Sequence, residues 1–462
     1  MQPVLLIDIG STYTKVLAVD LTEPRILGSA AAHTTIGSDV GLGLGQALEL
    51  LEVQIGSISY ADRLACSSAA GGLRMVAVGL APSLTEQAAR MACLGAGAKV
   101  IASFAYKLID EDVAAIDALQ PDILLLAGGT DGGNEAVISH NAAMLATCKA
   151  DFPILLAGNR NAAAKCRALL AGRAVTLTEN VMPRLEQLNV GPVQEQVRAL
   201  FLERIVLAKG LGSVASQMGA PLIPTPSAVL LAMELLAEGT ANVAGFGELL
   251  AVDLGGATTD VYTMAQGAST EVDVILKGIP EPFAKRTVEG DIGMRYSVHG
   301  IVDAVGVSWL SQYSGLDAAT LTKLVDHLSE FPDTLPDTPE TVALDQALAA
   351  AAVMIAVRRH AGSLETVYTS QGRALVQSGK DLTHVRRLIV TGGAIIHSSE
   401  AGVTARSALA DPKDPASLRP READIYVDSR YILASMGLLS QKYPDQAITL
   451  MKKELKAHGT EK

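Results

Sequence analysis

The segment VLLIDIGSTYTKVLAV, residues 4 to 19, returns in altered form as LLAVDLGGATTDVYTM at 249 to 264. Asp8 falls over Asp253, Gly10 over Gly255, Thr14 over Thr259 and Val16 over Val261. In both copies an apolar run ends in Asp-x-Gly, crosses a short polar turn and resumes as an apolar alternation, the pattern of two strands joined by a tight turn. Each copy is followed, after helical patterns, by an apolar strand ending in paired glycines: ILLLAGGTDGG at 123 to 133 and LIVTGGAII at 388 to 396. A single Asp-x-Gly between apolar residues is common. Two such series in the same order imply two lobes of one architecture. The expected division is an N-terminal lobe over residues 1–240, carrying inserted α/β segments, and a C-terminal lobe over 241–462.

The rest of the chain has α/β texture. Helical periodicity covers Thr85 to Cys93, Val113 to Leu119 and Glu135 to Cys148, interleaved with buried-strand runs at Asp122 to Ala127 and Ile154 to Ala157. A long helix is predicted over Val193 to Lys209 and an Ala-rich one over Val342 to His360. Phe331 to Glu340 and Asp411 to Glu422, rich in Pro, Asp or Arg, read as exposed loops.

A chain of 462 residues exceeds one ordinary core, which agrees with two lobes. The formal charge of −12 argues against a nucleic-acid groove or an anionic membrane surface, since both need Lys and Arg to neutralise phosphates. The four cysteines, Cys66, Cys93, Cys148 and Cys166, have no CxxC spacing and read as reduced thiols. The N-terminus lacks a basic leader segment, and the apolar stretch Ala347 to Val357 is about half of what a bilayer span needs. The expected location is the cytoplasm.

The chemistry of the repeated stretches is that of phosphate and a divalent cation. A turn whose glycine lets the backbone come close, with the hydroxyls of Ser11 and Thr12 beside its N–H groups, makes an anion cradle. A carboxylate at each strand end suits Mg²⁺, which keeps much of its water. Lys15 adds a point charge for a phosphate. Paired glycines after Val390 allow close contact with a nucleoside.

LLIDIGSTYTKV, AVDLGGATTDVYT and LIVTGGAII resemble the first phosphate, second phosphate and adenosine motifs of the actin, Hsp70 and sugar-kinase ATPase superfamily, in its order. The resemblance implies two ribonuclease-H-like lobes with ATP in the cleft between them. Carried over by position, it gives Asp8 the orientation of Mg²⁺ or its waters, and Gly10, Ser11, Thr12 and Lys15 phosphate contacts. Asp253 would serve the metal or the attacking water. Gly255, Gly256, Thr258 and Thr259 belong to the second phosphate loop, and Asp260 would support Mg²⁺ through water. Gly392 and Gly393 would lie against the adenosine. Ala257 departs from a glycine often found third in that loop.

CSSAAGGLRMVAVGL at 66 to 80, CLGAGAKV at 93 to 100, NVMPRLEQLNVGPV at 180 to 193, FLERIVLAKGL at 201 to 211 and TVEGDIGMRYS at 287 to 297 resemble the MutL/GlmL family across nearly the whole length. This family is distinct from the mismatch-repair protein sharing its first name. The resemblance implies an accessory ATPase, or reactivating chaperone, partnered by subunits of an adenosylcobalamin-dependent mutase, above all glutamate (methylaspartate) mutase.

Other classes stay open at this point. A small-molecule kinase has the same cleft but needs a substrate pocket with a general base, which no sequence feature locates. An activase feeding electrons to a dehydratase needs closely spaced cysteines. A filament-forming actin-like ATPase would pellet with nucleotide. Among weaker features, GLGLG at 41 to 45 reads as a helix entry, and Asp131 as either a further cleft carboxylate or a turn aspartate. Glu289 and Arg295 read as cleft residues or as a capping ion pair. Arg358, Arg359 and His360 suit a helix C-terminus through positive charge.

Overall fold

The computed structural model describes residues 1–10, 13–35, 40–68, 73–201, 218–269, 274–369 and 372–458. The chain forms two compact units, Met1–Ala232 with Ala434–Leu450, and Met233–Leu433 with Met451–Lys462.

The first unit opens with the hairpin β1 (Pro3–Ile9) and β2 (Tyr13–Asp20), extended by β3 (Arg25–His33). β4 (Asp62–Ser67) then pairs parallel to β1 on its other side. β1 is therefore central, and all seven of its residues are buried. The helix Val40–Ile55 packs over β2 and β3, and the GLGLG residues lie in its first turns.

After β4 the chain leaves this sheet and builds a second one, entirely parallel. Its strands are β5 (Arg74–Val78), β6 (Lys99–Phe104), β7 (Ile123–Leu126), β8 (Ile154–Leu156) and β9 (Val175–Leu177), in the order β6-β5-β7-β8-β9. β7 and β8 are apolar throughout and fully buried, as expected where helices cover both faces of a parallel sheet. Val76, Val78, Leu124, Leu126, Ile154 and Leu156 anchor its core. The chain then returns to the first sheet as β10 (Ile223–Pro224), which pairs parallel to β4. The first sheet thus reads β3-β2-β1-β4-β10. A late segment, beginning at Ala434, completes this unit. Lys442 there binds Asp62 at 2.7 Å and the Gly219 carbonyl at 2.7 Å.

The second unit repeats the plan. β11 (Leu249–Leu254) and β12 (Thr259–Met264) form the hairpin, and after β13 (Val274–Lys277) the strand β14 (Ala284–Glu289) extends it. β15 (Ser363–Thr369) and β16 (Gly372–Ser378) join β13 in a small separate sheet. β17 (Arg387–Thr391) and β18 (Asp424–Val427) continue the main sheet in parallel to β11, and β19 (Lys456–His458) closes it. The main order is β14-β12-β11-β17-β18-β19. Both units therefore share a ribonuclease-H-like sheet, in which three antiparallel strands are followed by two parallel ones. This duplication is the actin/Hsp70-type ATPase fold.

The Ala-rich helix spans Pro339–His360, starting earlier than its periodicity indicates because Thr338 caps it and Pro339 suits its first position. By length and composition it could cross a membrane, but two-thirds of its most apolar stretch is buried within the protein. It is a core helix. The predicted helix from Thr85 begins as a π-helical turn, Pro82–Glu86, because the Thr85 hydroxyl takes the N–H groups of Leu80 and Ala81 at 2.7 and 3.1 Å. The helix predicted over Val193 to Lys209 runs Gly191–Phe201, and its remainder lies outside the described residues.

The sequence reading of His360 as a positive helix end is corrected by its burial. Its Nε2 meets the Thr263 hydroxyl and its Nδ1 meets that of Thr287 at 2.8 Å. Burial, reinforced by Lys285 and Lys380, pushes its pKa well below the ordinary value, so it is neutral when folded. Unfolded, the ring gains a proton below about pH 6.5 that the folded state refuses. Stability from this residue is thus present above pH 6.5 and lost as pH falls, by about 1.4 kcal/mol per unit. Urea midpoints between pH 7.5 and 5.5 should show that fall in the wild type and a shallower one in His360→Gln. An equal fall in both would refute the assignment.

Candidate functional site

Each unit carries one polar hairpin at the end of its central strand, and the two turns are built alike. In the first, the Gly10 N–H donates to the Tyr13 carbonyl at 3.0 Å. In the second, the Gly255 N–H donates to the Thr258 carbonyl at 2.9 Å. A Cβ on Gly10 would lie 2.7 Å from that Tyr13 oxygen, and one on Gly255 would lie 2.9 Å from that of Thr258. The two glycines are therefore required by the same turn, for the same steric reason.

Register places the charges. In the first hairpin Asp8 pairs directly with Lys15 across the ladder, so a carboxylate and an ammonium leave the same face. Asp8 is buried, and its Oδ1 accepts from the Thr225 hydroxyl at 2.7 Å and from the Cys66 thiol at 3.4 Å. Burial, and then Asp8 itself, raise the Cys66 pKa well above normal, which keeps it a thiol donor. All four cysteines are free and buried. Ser11 and Thr12 lie outside the described residues.

In the second hairpin Asp253 pairs directly with Asp260, placing two carboxylates on one face. Arg286 on β14 pairs with Asp260: its Nε donates to Asp260 Oδ1 at 2.8 Å, and its Nη2 lies 2.6 Å from the same oxygen. Burial disfavours the Arg286 cation, yet Asp260 and Tyr262 together outweigh it and hold the pKa above its ordinary value. The Thr258 hydroxyl lies 3.4 Å from Asp260 Oδ2, whereas Thr259 is buried and donates to the Ile292 carbonyl at 2.9 Å.

The segment 290–297 braces this loop. The N–H groups of Arg295 and Tyr296 donate to the Gly256 carbonyl at 2.8 and 3.0 Å, and Ser297 Oγ donates to that of Ala257 at 2.8 Å. Gly293 lies so close that a Cβ would be 2.4 Å from the Ala257 carbonyl carbon. A supported loop of this kind accommodates alanine at 257. Glu289 and Arg295 do not pair with each other. Helix Pro339–His360 diverts both, since Arg359 takes Glu289 at 2.9 Å and Asp345 takes Arg295 at 2.8 Å.

β17 places Thr391 opposite Asp253 and then turns at Gly392. That residue has φ 106°, and a Cβ on it would meet the Leu254 carbonyl oxygen at 2.2 Å. A Cβ on Gly393 would find no atom within 4 Å. Gly392 serves the fold, while Gly393 leaves an approach open.

The structure thus brings Asp8, Gly10 and Lys15 together in one unit. It gathers Asp253, Gly255, Gly256, Thr258, Asp260, Gly392 and Gly393 in the other, with Thr259 facing inward. Asp131 is a turn residue, accepting from Asn180 Nδ2 at 2.9 Å and the Arg160 N–H at 3.0 Å. Sequence reasoning missed Thr225 and Arg286. No local signal marks Thr225, and only the strand alternation of residues 284–289 hints at Arg286. Among the described residues no group of three or more His, Cys, Asp or Glu could hold a metal by side chains alone.

Comparison with solved structures gives full-length likenesses of low similarity. Xylulose kinase from Bifidobacterium adolescentis is 12% identical, with 99% of this chain and 96% of that chain covered and a TM-score of 0.35. A diol dehydratase-reactivating factor in nucleotide-free form is 12% identical, with coverage of 96% and 99% and a TM-score of 0.36. Among curated proteins, "Protein MutL" of Clostridium tetanomorphum is 44% identical over 459 residues, 98% of this chain and 99% of that protein. The family model described as MutL protein matches residues 4–455, which takes in both hairpins, the inserted parallel sheet and the Gly392–Gly393 turn. With that match and that full-length relative, the chain belongs to the MutL protein family.

Proposed function

We propose that this chain is a Mg²⁺-dependent ATPase that reactivates an adenosylcobalamin-dependent mutase, specifically glutamate (methylaspartate) mutase, by releasing damaged cobalamin. The observation that carries the ATPase half is the duplicated hairpin, with Gly10 and Gly255 held in one turn geometry beside Asp8 and Asp253. Mg²⁺ fits these donors, because it takes one or two carboxylates and keeps its remaining positions for water and phosphate oxygens. Asp8 and Asp253 would hold it. Gly10, Ser11, Thr12, Lys15, Gly255, Gly256 and Thr258 would contact phosphates, and Gly392 and Gly393 the adenosine. Asp260, already paired with Arg286, is left to support the metal through water from Oδ2. Bound Mg-ATP would supply the free energy of phosphoryl transfer to water, and the two hairpins would orient its phosphates.

Membership of the MutL family over the whole chain supports the chaperone half. Radical mutases break a Co–C bond, and loss of the radical leaves inactive cobalamin trapped in the enzyme. An ATPase with different affinity for that enzyme in its two nucleotide states can open it without covalent chemistry on cobalamin. This reading places the chain in the cytoplasm with its mutase.

The test is to incubate the protein with glutamate mutase carrying cyanocobalamin and to follow free cobalamin by filtration and absorbance. Release that depends on Mg-ATP is expected. Hydrolysis of ATP without exchange on any cobalamin mutase would overturn the chaperone half and leave the ATPase half standing.

A further inference from the structure

Asp8 is gripped by two residues that bracket one excursion of the chain. Cys66 lies in β4, just before the chain departs to build the parallel sheet, and Thr225 follows β10, where it returns. Their donor atoms meet on the same oxygen, Oδ1, which fixes the rotation of the carboxylate.

The inserted sheet also holds the element that carries Thr225. Ser227, on the helix Thr225–Glu238, donates from Oγ to the Ala96 carbonyl at 2.7 Å, at the end of the inserted helix Gln87–Gly95. The next residue, Gly97, has φ 87°, and a Cβ there would lie 2.5 Å from Ser227 Oγ and 2.9 Å from Pro224 Cβ. A path of direct contacts therefore runs from the inserted turn 96–97 through Pro224 and Ser227 to Thr225 and Asp8.

The second unit shows what the fold does without such an insertion. There Asp253 pairs with Thr391, and the residue following β18, in the place of Thr225, is Asp428. Asp428 caps the next helix, accepting from the Ile432 and Leu433 N–H groups at 2.9 and 3.2 Å. The position that holds a hydroxyl beside Asp8 in the first unit therefore holds a helix-capping carboxylate in the second.

We infer that Thr225 is a positioning residue for Asp8, and that through it the inserted parallel sheet regulates metal binding at that carboxylate. The inference rests on the proposed Mg-ATP site. A shift of the turn 96–97 moves Pro224 and Ser227, which re-aims the Thr225 hydroxyl and changes how firmly Asp8 is oriented. The reverse follows by linkage: metal bound at Asp8 favours one placement of the inserted sheet.

The test is a Mg²⁺ titration of fluorescent ATP-analogue binding on the full chain. Thr225→Val should raise the half-saturating Mg²⁺ concentration about tenfold, with analogue affinity in the absence of metal changed less than about twofold. Thr225→Ser should restore the wild-type value. Cys66→Ala removes the weaker donor and should shift the requirement the same way by about threefold, a readout independent of how Thr225→Val folds. Gly97→Ala should also raise the Mg²⁺ requirement, and should add nothing in the Thr225→Val background. An unchanged Mg²⁺ requirement in Thr225→Val and Cys66→Ala would overturn the positioning role and leave the ATPase reading intact. Full additivity of Gly97→Ala with Thr225→Val would overturn the coupling to the insertion. Absence of Mg²⁺-dependent nucleotide binding in the wild type would remove the ATPase reading, and this inference with it.

Discussion

Alanine at Asp8 or at Asp253 is expected to lower Mg-ATP turnover by about a thousandfold, a loss of ~4 kcal/mol of transition-state stabilisation. Both carboxylates sit at the ends of central strands whose apolar neighbours are buried, so the sheets survive the change. Truncating Asp8 leaves the Thr225 hydroxyl and the Cys66 thiol without their acceptor, at a cost of about 1–3 kcal/mol. Asparagine keeps the shape and removes the charge, and should be nearly as inactive as alanine. Phosphate release with circular dichroism on the same samples checks both halves. Unchanged turnover in both alanine variants would sink the assignment of these hairpins to Mg-ATP.

Neighbouring glycines in the second unit should separate fold from ligand. Gly392→Ala meets both a left-handed φ and the Leu254 carbonyl oxygen, and is expected to cost about 3 kcal/mol or more. Gly393→Ala meets nothing, so its stability should stay within about 0.5 kcal/mol of wild type. Its added methyl occupies the approach assigned to adenosine, and ATP affinity should fall about tenfold, ~1.4 kcal/mol. The sole tryptophan, Trp309, lies in this unit, so its fluorescence during urea unfolding reports the stability arm directly. Normal ATP affinity in Gly393→Ala would remove the adenosine role from this turn.

The two hairpins and the Thr-Gly-Gly turn were legible because their information is local. Asp8, Gly10 and Lys15 fall within one strand-turn-strand, and alternation with a turn glycine at fixed offset is visible without knowing what packs on it. The core helices were legible for the same reason, although their ends were not. Thr338 moved one start outward, and the Thr85 hydroxyl turned another into a π-helical turn. Thr225 was invisible because its bond to Asp8 joins residues 217 apart, and its only local context is Pro-Thr-Pro. Glu289 and Arg295 misled because their spacing suggested mutual pairing, while Arg359 and Asp345 on a distant helix present closer opposite charges. The small sheet of β13, β15 and β16 went unread because neither Ser363–Thr369 nor Gly372–Ser378 alternates cleanly between apolar and polar residues. Its strand β13 contributes four residues, too few for a period to register.

The late segment from Ala434 gives this chain an order of assembly during synthesis. Lys442 grips Asp62 and the Gly219 carbonyl, and a Cβ on Gly437 would lie 1.7 Å from the Ala228 carbonyl oxygen, so this segment seats tightly on the first unit. Lys442 follows Asp62 by 380 residues. The main segment of the first unit ends at Ala232 and its last piece begins at Ala434, so at ribosomal speeds of about 5–20 residues per second it waits on the order of 10 to 40 seconds. The second unit, nearly all of which is translated in that interval, can be packed before the first is sealed. A ribosome stalled before residue 434 would therefore hold a first unit with an exposed seat for that segment, a natural site of capture by holding factors in the cell.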